Sequence, residues 1–129
     1  MSAVSTNPSR FPSGHAWLVN GGRVLASAEV ASSRRDRRNG LIGRGAFEGA
    51  FVIPQCRWIH TIGVRFPIDV AYLDADGTVL KTETLGRFRF GAPVPHACTV
   101  IEACSGAFER WGLRIGDFIE VRPADQAGS

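Results

Sequence analysis

Apolar and polar residues alternate in short runs along this chain, and glycine, proline or asparagine soon interrupts each run. Trp17-Leu18-Val19 precedes Asn20-Gly21-Gly22, and Arg23 to Val30 follows. Two β-capable runs around an Asn-Gly-Gly turn predict a hairpin. Ile68 to Leu73, the turn Asp74-Ala75-Asp76-Gly77 and the return from Thr78 to Leu85 predict a second, stronger one. Ala50-Phe51-Val52-Ile53, stopped by Pro54, and Arg57 to Ile62 are further apolar runs. Cys98 to Ala103 is β-rich, and Phe118 to Arg122 reads as a final strand.

Helical signals are fewer. Ser32 or Ser33 can cap a short helix through Arg34–Arg38, which Asn39-Gly40 would end. Ser105 to Trp111 suits one or two helical turns, stopped by Gly112. Leu41 to Gly49 and Gly86 to Pro95 read as loops. The pattern predicts a mainly β fold, bordering on α+β: a small barrel or sandwich-like domain of about seven or eight short strands and two short helices. Val70, Tyr72, Val79, Val100 and Ile119 are expected in the core, with Trp58 or Trp111 plugging one end. Long helices alternating with strands are absent, which excludes a doubly wound sheet.

The 129 residues suit one domain. The expected division is a flexible segment over 1–12, a folded domain over 13–122 and a flexible tail over 123–129. Hydrophobic residues at 44% and charged residues at 21% are globular rather than disordered composition. No apolar run approaches the roughly 18 residues a membrane span requires. Met1 to Pro12 has neither a basic nor an apolar leader region, so a cytoplasmic location is the default expectation. The three cysteines, Cys56, Cys98 and Cys104, argue against a disulfide framework and for buried thiols, although one Cys98–Cys104 bridge is open under oxidising conditions. The net charge is +3, carried by fourteen arginines and the single Lys81. Such a skew is what a GC-rich genome produces, so it says little about partners.

Several residues invite chemical readings. Asp69 shares a strand face with Ala71 and Leu73, an odd place for a carboxylate, and Glu102 is similarly set within Thr99–Cys104. With Arg44 and Arg65 nearby in motif, both acids are expected in partly buried ion pairs or backbone hydrogen bonds that serve architecture. The functional counterpart is a general acid/base pair. Cys56-x3-His60 and His96-x-Cys98 contain zinc-ligand residue types, but the CxxC knuckle is missing. A buried thiol at Cys56 and a backbone-bonded His60 is the preferred reading, and no metal or cofactor is expected. A Cys98 nucleophile activated by His96 lacks an orienting third group. His15 receives no role. The run Arg34–Arg38, with Arg44, Arg57, Arg87 and Arg89 beside Phe88 and Phe90, suggests single-strand or anionic-ligand binding. No recognised nucleic-acid motif accompanies it, so nucleic acid is not the expected partner.

Four stretches recur together: Gly40 to Arg44, Ile59 to Asp74, Val100 to Glu102 with Gly106, and Leu113 to Asp117. In that order they resemble the bacterial and archaeal family named domain of unknown function 192, over about Arg23 to Val121. The resemblance implies a compact, mainly β fold with short helices, and no activity. Ile42 and Val64 stand where the family often has methionine, and Cys98 and Cys104 do not look like family features. The functional expectation is a non-enzymatic binding or accessory module, a monomer or weak dimer, for a small ligand or a protein. Its ligand surface is expected around His60, Thr61, Arg65 and Asp69, with Arg44. The contrasting expectation is a small hydrolase using His60, Asp69 or Glu102.

Overall fold

The computed structural model describes residues 14–31, 48–56, 66–86 and 91–124. In chain order these form β1 (Gly14–Asn20), β2 (Arg23–Val30), β3 (Ala50–Pro54), β4 (Ile68–Leu73), β5 (Val79–Leu85), β6 (Thr99–Cys104), α1 (Ala107–Trp111) and β7 (Glu120–Pro123). The strands make one sheet in the order β5-β4-β6-β3-β2-β1-β7. All neighbours are antiparallel except β2 and β3. Parallel neighbours need a crossover connection. It runs through residues 32–47, so the helix expected over Arg34–Arg38 lies outside the described residues, as does the run Arg57 to Ile62. The fold is mainly β as expected, with one short helix among the described residues. Both predicted hairpins form, and β7 runs one residue past the expected start of the tail, pairing Pro123 with Ala16. No helix among the described residues is long and apolar enough to cross a membrane.

The two end strands of the sheet meet at one corner. Thr78 and Phe118 form an antiparallel bridge, Val79 N–H donates to Asp117 O at 2.9 Å, and Ile119 N–H donates to Gly77 O at 2.9 Å. The sheet therefore curls towards a barrel. Asp74 builds the turn that makes this contact: its Oδ1 accepts from the N–H groups of Asp76 and Thr78, each at 2.9 Å. Gly77 completes the turn at φ 99°, and a Cβ there would stand 2.7 Å from Ile119 O. Both the backbone conformation and the close approach demand glycine. Gly77→Ala is expected to lower stability by about 2–3 kcal/mol, read as a lower urea midpoint with an unchanged slope.

The sheet buries both faces. On the concave face, Leu18, Val30, Val52, Leu73, Val79, Ile101 and Ile119 pack with Phe108 and Leu113. On the other, Phe51, Ile53, Ile68, Val70, Tyr72, Leu85 and Val100 pack with Ala31, Val94 and Ala97. This explains why β4, Ile68–Leu73, is buried at every position rather than at alternate ones. The expected core residues Val70, Tyr72, Val79, Val100 and Ile119 are all buried. Trp111 packs at the margin of the concave cluster, 5.6 Å from Phe108 between ring centroids, whereas Trp58 lies outside the described residues.

A row of small side chains crosses the concave face: Ala16, Ala28, Ala50 and Ala103 stand opposite one another on successive strands, and Asp69 and Thr84 continue the row. Ala107 and Phe108 of α1 belong to the same cluster. Gly112 ends that helix at φ 73°, and Leu113 N–H reaches back to Phe108 O at 3.0 Å. This is a Schellman closure, and its apolar contact is Phe108 with Leu113.

Candidate functional site

The helix begins without a cap of its own. Its N-cap residue is Gly106, which has no side chain to accept a hydrogen bond. Asp69 supplies the acceptor from β4: its Oδ2 accepts from Gly106 N–H at 3.0 Å and Phe108 N–H at 3.1 Å. Its Oδ1 accepts from the hydroxyl of Thr84, directly opposite on β5, at 2.8 Å. A carboxylate only 5% exposed is thus satisfied by a helix start, where amide donors are orphaned, and by its cross-strand neighbour. The expectation that Asp69 is held by backbone hydrogen bonds is met. The signal that would have found its partners is Gly106 at the head of a predicted helix.

Glu102 is placed differently. It stands opposite Val70 on one side and Phe51 on the other. Asp69 precedes Val70, so the two acids point to opposite faces of the sheet. They form no acid/base pair. Phe51, Glu102, Val70 and Glu83 make one cross-strand row, and Ile53, Val100, Tyr72 and Lys81 make the next. Glu83 is partnered, accepting from the Tyr72 hydroxyl at 2.7 Å and lying 3.6 Å from Lys81 Nζ. Burial, then this bond, raises the pKa of the Tyr72 phenol. Glu102 is only 4% exposed, and its buried Oε1 has no hydrogen-bond partner among the described residues. The arginines expected to neutralise it, Arg44 and Arg65, lie outside the described residues. Burial pushes its pKa from 4.5 up to about 8, so the carboxyl is mostly protonated at neutral pH. A neutral carboxyl presents one O–H donor and an acceptor oxygen.

Of the other predicted site residues, Arg44, His60, Thr61 and Arg65 lie outside the described residues, as do Arg34–Arg38, Arg57, Arg87 and Arg89. The described residues flanking these segments share one location. Ala31 precedes 32–47, Cys56 and Phe66 bracket 57–65, and Leu85 and Val94 lie either side of 87–90; all pack into the apolar cluster on Glu102's face. Among the zinc-type residues, Cys56 and Cys98 are brought together by a backbone hydrogen bond of 3.1 Å. His96 is exposed, with a left-handed backbone at φ 70°. No three His, Cys, Asp or Glu residues among those described are arranged to hold a metal. Cys98 and Cys104 sit at opposite ends of one extended run, roughly 20 Å apart, so the bridge left open between them is excluded. On the helix side, a cleft of about 290 Å³ opens between β2 and α1, lined by Ser27, Glu48, Cys104, Arg110 and Trp111 among others. No sequence pattern pointed to it.

Among solved structures, the chain resembles a protein of unknown function from Novosphingobium aromaticivorans DSM 12444, with a TM-score of 0.68 and 17% identity over 82% of this chain and 83% of that one. It also resembles a protein from Sinorhizobium meliloti 1021 described as a "putative transcription regulator", with a TM-score of 0.64 and 19% identity over 86% of this chain and 95% of that one. At such identities the likeness shows a shared fold. No curated protein matches the chain. The model of the DUF192 family, described as an uncharacterized ACR, matches residues 17–121. That match spans most of the first hairpin, all of the second, the helix and both embedded acids, and the chain therefore belongs to the DUF192 family.

Proposed function

We propose that this chain is a non-enzymatic binding module whose ligand contacts the face of the sheet that carries Glu102. The observation that carries this reading is the division of labour between the two embedded acids. Asp69 has its carboxylate engaged by three donors on the concave face, whereas Glu102 Oε1 is buried on the other without a hydrogen-bond partner among the described residues. A buried polar atom without a partner is uncommon, because it forfeits a hydrogen bond worth roughly 1–3 kcal/mol. A ligand group at that point restores the bond. The flanks of the segments holding Arg44, His60, Thr61 and Arg65 all pack on this same face, which supports assigning those residues to the ligand surface. The ligand suited to a neutral carboxyl carries its own acidic or hydrogen-bonding group.

Catalysis is the poorer reading of the same geometry. A protonated carboxyl with a raised pKa is half of an acid/base pair. The second half is missing among the described residues, because Asp69 faces away and Glu83 is engaged by Tyr72 and Lys81.

The test combines amide chemical-shift mapping with a turnover screen, using phosphate- and carboxylate-bearing small molecules and ester and phosphoester substrates. The expected result is shifts centred on Phe51, Val70 and Glu102, weakened in Glu102→Gln, with no turnover. Turnover that Glu102→Gln abolishes, or shifts centred on Arg110 and Trp111, contradicts the proposal.

A further inference from the structure

Strand β5 is an end strand of the sheet, paired with β4 along one side only among the described residues. Which of its backbone groups face outward follows from the phase of the ladder. Ser105 N–H donates to Pro67 O at 3.2 Å, one step beyond the opposed pair Ile68 and Cys104. Bonding alternates along antiparallel strands, so Asp69 and Ala71 turn their backbone groups to β6, and Val70 and Tyr72 turn theirs to β5. Glu83 and Lys81, opposite those two, bond back to β4. Thr82 and Thr84 therefore direct N–H and C=O away from the sheet. Val79 does so too, but its groups are engaged: its N–H donates to Asp117 O and its O accepts from Gly116 N–H, each at 2.9 Å. Among the described residues, no such bond reaches Leu80–Thr84 on that side.

We propose that the protein self-associates through β5, two copies pairing edge to edge and antiparallel about Thr82 into one continuous sheet. An open edge is a template for another strand, and charges on it keep unsuitable strands away. Here the charges select a second copy. Leu80-Lys81-Thr82-Glu83-Thr84 is its own antiparallel complement: a two-fold axis at Thr82 sets Lys81 opposite Glu83 of the second copy, and Glu83 opposite its Lys81. Only outward-facing residues exchange bonds across the new edge, which restricts the alternatives. The neighbouring register on one side sets Glu83 against Glu83. The neighbouring register on the other sets Lys81 against Lys81 and runs the second strand into the Gly116–Asp117 loop at Val79. Ile115 and Phe118, which flank that loop, are exposed apolar residues where the second strand ends. Leu80–Thr84 falls well short of the roughly 20–30 residues a side of a standard interface, so the dimer is weak and reversible. Edge pairing leaves both faces of the sheet as they are, so it stands or falls apart from the ligand reading.

The test is sedimentation of the full chain across a concentration series up to the millimolar range, with amide hydrogen exchange read by NMR on the same samples. The expected result is a shift from monomer to dimer as concentration rises. The Thr82 and Thr84 amides gain protection with it, whereas those of Lys81 and Glu83 are protected throughout. Thr82→Pro removes the central outward N–H without touching the β4 ladder, and is expected to abolish the dimer. Lys81→Glu and Glu83→Lys each set like charges opposite one another and are expected to weaken it by roughly tenfold or more. An equimolar mixture of those two variants pairs opposite charges again and is expected to associate. Amide spectra establish that each variant is folded. A wild-type chain that stays monomeric throughout overturns the proposal, as does a dimer that survives in folded Thr82→Pro. So does a mixture of the two charge variants that associates no better than either alone.

Discussion

Asp69→Ala is expected to destabilise the fold by about 3–5 kcal/mol, because it leaves three hydrogen-bond donors without an acceptor. The Gly106 and Phe108 amides and the Thr84 hydroxyl all converge on this one carboxylate. The Phe108 amide is buried, so water replaces the lost acceptor poorly there. The helix has no side chain of its own at the N-cap to compensate. Against a total stability of roughly 5–15 kcal/mol, a loss of this size is a large share. It corresponds to a fall in Tm of roughly 10–20 °C for a chain of this length. Asp69→Asn retains one acceptor oxygen but turns an amide towards backbone donors, so it is expected to recover only part of the loss. Thermal and urea denaturation of the two variants and wild type check this. Variants within about 0.5 kcal/mol of wild type would show that the cap contributes little.

Glu102 should leave its signature in the pH dependence of stability. Burial raises its pKa from 4.5 to about 8, so between those values the folded chain keeps a proton that the unfolded chain releases. The folded state then binds more protons than the unfolded state, and stability falls as pH rises through this window. Glu102 contributes most favourably below about pH 4.5, and that contribution is lost by about pH 8. Each pH unit of full linkage is about 1.4 kcal/mol, which makes the whole change a few kcal/mol. Glu102→Gln has the shape of the protonated acid and cannot ionise, so its stability curve should lack this component. At pH 5 wild type and variant are expected to agree within about 1 kcal/mol, and at pH 8 the variant is the more stable. Parallel curves over the whole window would mean that the carboxylate is stabilised in the folded state.

The parts of this fold that were legible in the sequence are those specified by neighbours. Asp74-Ala75-Asp76-Gly77 announces a turn because an aspartate oxygen can accept amides two and four residues on, and a glycine follows. Strand alternation likewise placed Asp69 with Ala71 and Leu73 on the concave face. What stayed hidden depends on pairings between distant strands. That Asp69 and Glu102 point to opposite faces follows from the β4–β6 register, in which Val70, not Asp69, stands opposite Glu102. Sequence spacing carries no information about that register, so the two acids were grouped when the fold separates them. The backbone hydrogen bond from Cys56 to Cys98 follows a left-handed residue at Gln55, a residue type not expected at positive φ. The Thr78–Phe118 contact that curls the sheet joins its two ends, which no local pattern reveals.

One acid here caps a helix, and the other is buried and held mostly neutral. Site-resolved ¹³C NMR titration of the Glu102 side-chain carboxyl in the ligand-free chain examines this most directly. A midpoint near 8, with no ionisation step near 4.5, is the predicted result. A midpoint at or below 4.5 would contradict it, since a carboxyl so deeply buried ionises there only when another part of the chain already holds it.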